Sequence, residues 1–292
     1  MKKNRQSMNN LPRLSIIIPT LNSEMVLPVC LRSLINQNYP KAKFEIIVVD
    51  NESSDKTVEI AKSFGAKLFL VKGQPSQACT QRNLGAEKAK GKYLLFLDHD
   101  MELSKNLLKN FAEKVSKTKD IPDAWYIPEK IVASSPLFSK IRNFEGSFYN
   151  ATVIAAVRII KKEKFDLTSE KYDPVLSNGP ADWDMDIQLK KLGCRFDIID
   201  ESLYHHEERF TYWQYITKRG DWIEGIDLYK AKWKKKDAKI YSDIVKKQFG
   251  IYYRLIMVFI ENGKWKKLIP NFHLYIFVLL IKILVGLMYL FK

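Results

Sequence analysis

The sequence predicts an α/β fold: a mostly parallel central sheet flanked by helices, followed by a basic and then apolar helical tail. Three observations predict it. Over the first hundred residues, short runs rich in Ile, Val and Leu alternate with stretches of helical spacing. The apolar runs are nearly continuous, the pattern of parallel strands covered on both faces. Three of the four runs end in groups suited to binding: Pro19-Thr20, Asp50-Asn51 and Asp98-His99-Asp100. In open parallel sheets, ligands bind outside the carboxyl ends of the strands.

The elements follow in order. Residues 14–18 form an apolar strand ending at Pro19. Residues 24–37 place apolar side chains at 27, 30, 31, 34 and 35, a helical spacing. Residues 44–49 are a second strand ending at Asp50. Residues 55–64 put Val58, Ile60, Ala61 and Phe64 on a helix stopped by Gly65. Residues 67–71 are a third strand, 76–90 a helix and 93–97 a fourth strand. Beyond Trp125 the pattern is mixed. Residues 123–132 and 152–160 read as strands with a helical stretch between them. Residues 183–192 read as a short helix closed by Gly193, and 195–199 as a last strand. No internal repeat is present. The expected organisation is one domain over 1–229, in two halves near 14–110 and 120–229, and a tail over 230–292.

Composition narrows the class. Of 292 residues, 46% are hydrophobic, enough for a packed core and too many for a disordered chain. The three cysteines, Cys30, Cys79 and Cys194, form no CxxC pair, so a disulfide scaffold or a structural zinc site is not expected. Residues 1–13 are basic and polar, and the apolar run at 14–19 is too short for a signal core. The catalytic part is therefore expected in the cytosol.

The net charge is +15, and residues 230–267 alone carry twelve Lys/Arg against three Asp/Glu. Such a block fits nucleic acid or an anionic membrane surface. The following stretch, 274–291, decides for the membrane: it is apolar with Lys282 as its one charge. A helix of that length spans about 27 Å, near a bilayer core. It reads either as a C-terminal anchor on the cytoplasmic face or as a buried helix whose lysine reaches the surface. Nucleic acid is not an expected partner.

Asp98 and Asp100 lie two residues apart after an apolar strand, so on an extended chain they point the same way. Such a pair suits a hard cation, Mg²⁺ or Mn²⁺, together with phosphate or ribose oxygens. Taken singly, each polar residue has a plainer reading. Asp50 caps a turn, Asp182 and Asp184 favour a helix N-terminus, and His205 and His206 pack near Tyr204. Tyr212, Trp213, Tyr215 and Trp222 suit stacking on a sugar or lipid acceptor, or core packing.

Four segments together resemble the family 2 glycosyltransferases, inverting enzymes of the Rossmann-like GT-A fold. They are LSIIIPTLNSE at 14–24, FEIIVVDNESSDKT at 44–57, QRNLGAEKAKGKYLLFLDHD at 81–100 and ADWDMDIQLKKLG at 181–193. The resemblance implies a donor pocket lined by Pro19, Thr20, Asn22 and Glu24, with Asp50 toward the base and Asn51 and Ser53 beside it. It implies Arg82 and Asn83 near the diphosphate, Asp98 and His99 toward ribose or sugar, and Asp100 on the metal. Asp182 matches the family's catalytic base, and Asp184 is expected to cap the helix. His205 or His206 stands where a further metal ligand is often supplied, with His205 preferred. Ala181, where a Glu is common, Gln188, where an Arg is usual, and Leu21, for a frequent aromatic, depart from the family pattern.

The activity so implied is metal-dependent transfer of a sugar from a UDP- or GDP-linked donor to a glycan or lipid-linked acceptor at a membrane surface. Two alternatives stand beside it. A sugar nucleotidyltransferase would need a Gly-rich phosphate loop after the first strand, and PTLNSEM has no Gly. A non-catalytic nucleotide- or membrane-binding module is kept open by Ala181.

Overall fold

The computed structural model describes residues 11–72, 78–177, 179–208 and 223–290. The first half follows the expected alternation: β1 (Leu14–Thr20), α1 (Leu27–Ile35), β2 (Phe44–Asp50), α2 (Thr57–Ser63), β3 (Lys67–Leu70), α3 (Ala78–Lys88) and β4 (Tyr93–Phe96). Every residue of β1 is buried, because both faces of this strand are covered. Ile16 and Ile18 pack with Leu27, Cys30, Leu31 and Leu34 of α1. Ile17 packs on the other face with Cys79 and Ala86 of α3. The apolar positions that predicted α1 are thus the ones it buries. Gly65 closes α2 at φ +74°, the left-handed conformation glycine adopts freely.

The second half continues with β5 (Met101–Leu103), α4 (Leu107–Lys117), β6 (Ala124–Tyr126), β7 (Glu129–Val132), α5 (Pro136–Gly146), β8 (Val157–Lys161), α6 (Ala181–Lys191), β9 (Phe196–Ile198), β10 (Leu203–His206), α7 (Ile223–Lys236) and α8 (Phe272–Leu290). The main sheet has the order β3-β2-β1-β4-β8-β6-β9. It is parallel except at β8, which runs against both β4 and β6. The mostly parallel sheet is as the sequence predicts.

The predicted strand at 123–132 is two strands in two sheets. β6 joins the main sheet, while β7 pairs with β10 in a small sheet ordered β5-β10-β7. The break falls at Ile127-Pro128, where proline has no N–H to continue a ladder. The predicted strand at 152–160 begins only at Val157; before it, turn bonds run from Thr152 N–H to Tyr149 and from Ala155 N–H to Thr152. α4 and the small sheet are additions that the sequence reading did not contain.

α7 runs through residues 229 and 230, with Tyr229 and Trp233 buried on the α3 face of the sheet. From 238 to 271 the chain winds through short α, π and 3₁₀ turns before α8. A third apolar cluster joins α5 (Ile141, Phe144) to Val258, Phe259, Leu274 and Val278 of the tail. Cys30, Cys79 and Cys194 are buried free thiols.

Candidate active site

The site lies on the carboxyl rim of the main sheet. β4 ends at Phe96, and the turn carrying Asp98, His99 and Asp100 closes with Met101 N–H donating to the Asp98 carbonyl at 3.1 Å. β5 then leaves toward the small sheet. The turn is therefore pinned on both sides, and its carboxylates open into a cavity of about 1130 Å³.

α3 delivers Arg82. Gly85, one turn on, lets this helix lie directly on β1: a methyl group there would sit 2.4 Å from Ile17 Cγ2. Gln81 fixes the same turn, its Nε2 donating to the carbonyls of Thr20 (2.8 Å) and Val49 (2.6 Å). Arg82 Nη2 reaches Asp98 Oδ1 at 2.6 Å, and Nη1 lies 3.8 Å from Asp182 Oδ1. One buried guanidinium thus links the two acidic motifs, which are far apart in the chain.

The other Asp98 oxygen belongs to Arg158 of β8, at 3.3 Å; Arg158 also holds Glu129 at 2.5 Å. Burial alone would raise the Asp98 pKa, but the charges of Arg82 and Arg158 hold it well below the usual carboxylate range. Asp98 is held on both oxygens by arginines and lines the cavity. Arg158, Glu129 and Gln81 are site residues that sequence reasoning missed. Arg158 looked like one polar position in an apolar strand, whereas Gln81 stood beside Arg82 in a segment already singled out.

α6 carries three acids in three environments. Asp182 faces the cavity. Asp184 is fully buried and turns away from it, accepting from Lys232 Nζ (2.9 Å), Trp233 Nε1 (2.8 Å) and Gln188 Nε2 (2.8 Å). The expectation that Asp184 caps the helix is therefore corrected: Pro180 holds the N-cap position and no side chain caps it. Asp184 instead ties α6 to α7. Gln188 also donates to the Lys171 carbonyl at 2.9 Å, so it serves packing rather than the cavity. Asp186 accepts from the Tyr126 hydroxyl (2.7 Å) and from Val157 N–H (3.0 Å). Burial pushes its pKa up to about 7.

β10 separates the two histidines by strand alternation. His205 faces the cavity, its Nε2 3.3 Å from Asp100 Oδ2 and its Nδ1 4.0 Å from Glu129 Oε2. His206 faces the other way, toward Glu102 and Glu208. Burial would lower the His205 pKa, but the hydrogen bond and charge of Asp100, with Glu129 and Glu207, push it up to about 9.

Of the expected donor residues, Pro19, Thr20, Arg82, Asp98, His99 and Asp100 line the cavity. His99 Nδ1 lies 3.3 Å from the Pro19 carbonyl. The others form a network beside it. Asp50 is fully buried and accepts from Thr20 Oγ1 (2.9 Å), Ser53 N–H (2.9 Å) and Ser53 Oγ (2.5 Å). Asn51 N–H donates to the Thr20 carbonyl at 3.0 Å. Asn22 accepts from Ser54 N–H, and Glu24 from Lys56 N–H. Asn83 binds the Tyr172 backbone through both amide atoms, so it orders a loop instead of facing the cavity. Tyr212, Trp213, Tyr215 and Trp222 lie outside the described residues.

Asp100 and His205 fit a divalent cation. Ligand distances of about 2.1 Å put neighbouring ligands about 3 Å apart, close to the separation of these two groups. Among the described residues no set of three His, Cys, Asp or Glu can hold a metal. With a cation bound, the pair would supply only part of a coordination sphere and would leave positions for phosphate oxygens and water, the usual arrangement for Mg²⁺ and Mn²⁺ at phosphates.

Comparison with known proteins agrees with this architecture. A glycosyltransferase of Haloferax volcanii, AglE, is 35% identical over 114 residues, 38% of this chain and 38% of its own. TarS of Staphylococcus aureus, a poly(ribitol-phosphate) β-N-acetylglucosaminyltransferase, is 36% identical over 107 residues, 34% of this chain and 18% of its own. The alignments thus span well under half of either relative. Among solved structures, a fragment of S. aureus TarS superposes with a TM-score of 0.61 at 19% identity, covering 90% of this chain and 80% of that one. The Pyrobaculum calidifontis mannosyltransferase PcManGT, solved with GDP-Man and Mn²⁺, gives a TM-score of 0.59 at 17% identity, covering 85% and 71%. These share the GT-A fold. Residues 15–154, which hold the whole donor rim from Pro19 to Asp100, match the profile of Glycosyl transferase family 2.

Proposed function

We propose that the protein transfers a glycosyl group from a UDP- or GDP-linked donor to an acceptor hydroxyl, inverting the anomeric centre, with a divalent metal and at the cytoplasmic face of a membrane. The observation that carries this reading is the joining of Asp100 and Asp182 in one cavity through Asp98 and Arg82. Two carboxylates with separate partners allow separate tasks.

In the reaction, Asp182 accepts the proton of the acceptor hydroxyl as its oxygen attacks the anomeric carbon. The bond from that carbon to the donor phosphate breaks, and its electron pair leaves with the nucleoside diphosphate. Attack opposite the leaving group inverts the configuration. Arg82 and Arg158, both buried, line the cavity in ion pairs with Asp98, Glu129 and Asp182, which fix their guanidiniums in place for a diphosphate that becomes more anionic. A divalent ion held by Asp100 and His205 would neutralise the same charge. The basic segment 230–267 and the apolar α8 support membrane placement, and a glycan or lipid-linked acceptor suits that location.

Turnover of a panel of UDP- and GDP-sugars with Mn²⁺ tests the reading. Loss of general-base help lowers kcat by about 10²–10⁴-fold, so Asp182→Asn is expected to fall in that range with its circular dichroism unchanged. Asp100→Asn is expected to abolish the dependence on Mn²⁺. Normal turnover by Asp182→Asn would remove this residue as the base.

A further inference from the structure

α7 spans the boundary that the sequence suggested at residues 229 and 230, and its inner face reaches the elements that carry the site. Lys232, with 12% of its side chain exposed, meets three carboxylates at once: Asp184 of α6 (2.9 Å), Asp173 (2.9 Å) and Glu170 (2.5 Å). An ammonium carries three donors, and three carboxylates surround this one. Burial would lower the Lys232 pKa, but the charge of Asp184 and the hydrogen bonds with Glu170, Asp173 and Asp184 raise it above the ordinary lysine value.

The three carboxylates belong to two different supports. Asp184 stands two residues past Asp182 on α6, whose N-cap has no side-chain bond to steady it. Glu170 and Asp173 flank Tyr172, whose N–H donates to Asn83 Oδ1 (3.0 Å) and whose carbonyl accepts from Asn83 Nδ2 (2.8 Å). The Arg82 guanidinium lies over the Tyr172 ring, 5.2 Å from its centroid, and the ring meets Phe96 of β4 edge-on. Residues 170–173 are thus fixed to α3 and the sheet, the frame that carries Arg82 and the donor rim. Gln188 joins α6 to the backbone of residues 170 and 171 a turn farther along; Lys232 holds the first turn. α7 has its own anchor: the Tyr229 hydroxyl donates to Gln248 Oε1 (2.8 Å), whose amide donates to the Val153 carbonyl (2.7 Å).

We infer that Lys232 is a positioning residue for the transfer: it hangs the first turn of α6, and with it Asp182, from the frame that holds Arg82, and so keeps the 3.8 Å approach between Asp182 and Arg82. Lys232 itself stands outside the cavity. The inference rests on the glycosyl-transfer reading and adds to it a residue of the tail.

The test uses the full chain with Mn²⁺ and the nucleotide-sugar that the panel selects. It reads release of the nucleoside diphosphate, donor affinity by calorimetry and the thermal midpoint. A misplacement of about 1 Å can cost about 10²-fold in rate, so Lys232→Met is expected to lower kcat about 10–100-fold. Donor affinity is expected to stay unchanged, because the donor rim lies on β1 and after β4 and keeps its supports. The midpoint is expected to fall, since buried Asp184 loses its cation. Two further variants separate position from stability. Lys232→Met combined with Asp184→Asn removes the stranded carboxylate, so the midpoint is expected to recover while kcat stays low. Glu45→Gln, at the far end of β2 where Glu45 pairs with Lys67 (2.6 Å), is expected to lower the midpoint and keep kcat. Unchanged kcat in Lys232→Met, a loss confined to donor affinity, or recovery of kcat together with the midpoint in the double variant overturns the inference. A wild-type chain that releases no nucleoside diphosphate from any donor overturns the glycosyl-transfer reading instead.

Discussion

Asp182, Asp184 and Asp186 share two turns of one helix and have three fates, set by what each side chain meets. Asp186 is the one whose environment makes a pH-dependent claim. Its folded pKa, pushed up to about 7 by burial, lies above the ordinary unfolded value of about 3.9. Between those values the folded state holds the proton and the unfolded state does not. The contribution of Asp186 to stability is therefore fully present below pH ~4 and declines as pH rises through about 7. Asp186→Asn preserves both hydrogen bonds, to Tyr126 and Val157, and removes the titration. The wild-type thermal midpoint, measured relative to Asp186→Asn, is expected to fall between pH 5 and 8; parallel pH profiles would refute the assignment. None of this was legible in ADWDMD, where the three acids differ only in register. Likewise His205 and His206 are equivalent in sequence, and only the pairing of β10 with β5 and β7 turns one to the cavity and the other away.

At the scale of elements, the first half of the chain was legible because its strands are buried on both faces. Such strands leave apolar runs that need no partner to be recognised, as in residues 14–18 and 44–49. The second half was not, because β5, β6 and β10 have only three or four residues each and their alternation is too brief to register. Pro128, inside the segment read as one strand, marked the switch between sheets. The close approach of α3 to β1 was also hidden, since a glycine in a helix reads only as a weak helix former. Here Gly85 sets where Arg82 stands. Gly85→Ala places a methyl group against Ile17, and overpacking of this kind costs about 1–3 kcal/mol. The expected result is a lowered denaturation midpoint together with reduced turnover, because α3 lifts Arg82 from Asp98 and Asp182. Lost stability with undiminished turnover would separate the helix position from the chemistry.

At the scale of the whole molecule, the tail is the part that bears on the proposed membrane placement. Trp265–Leu284 is long and apolar enough to cross one by length and composition, with 17% of that window buried. A lysine at mid-bilayer costs about 2.5–3.5 kcal/mol on insertion scales. Lys282 does not stand free in α8: its ammonium lies 3.2 Å from Glu145 Oε1 and donates to the Tyr149 hydroxyl (2.8 Å) and the Arg254 carbonyl (2.7 Å). Leu274 and Val278 pack on the α5 side, while Phe272, Ile276, Leu280 and Leu284 are exposed. α8 is thus clamped to the domain along one side and apolar along the other, which fits a helix lying in one leaflet beside basic segments. Two measurements check this arrangement. Changing Ile276, Leu280 and Leu284 together to Ser is expected to release the protein from vesicles containing phosphatidylglycerol, and replacing that lipid with phosphatidylcholine should do the same to wild type. Lys282→Met takes one of two cations from the buried Glu145 carboxylate, which keeps Arg142, and removes the two other hydrogen bonds of the ammonium, so it should lower the thermal midpoint. A helix crossing the bilayer would respond in the opposite sense, since exchanging a charged residue for methionine would anchor it more firmly.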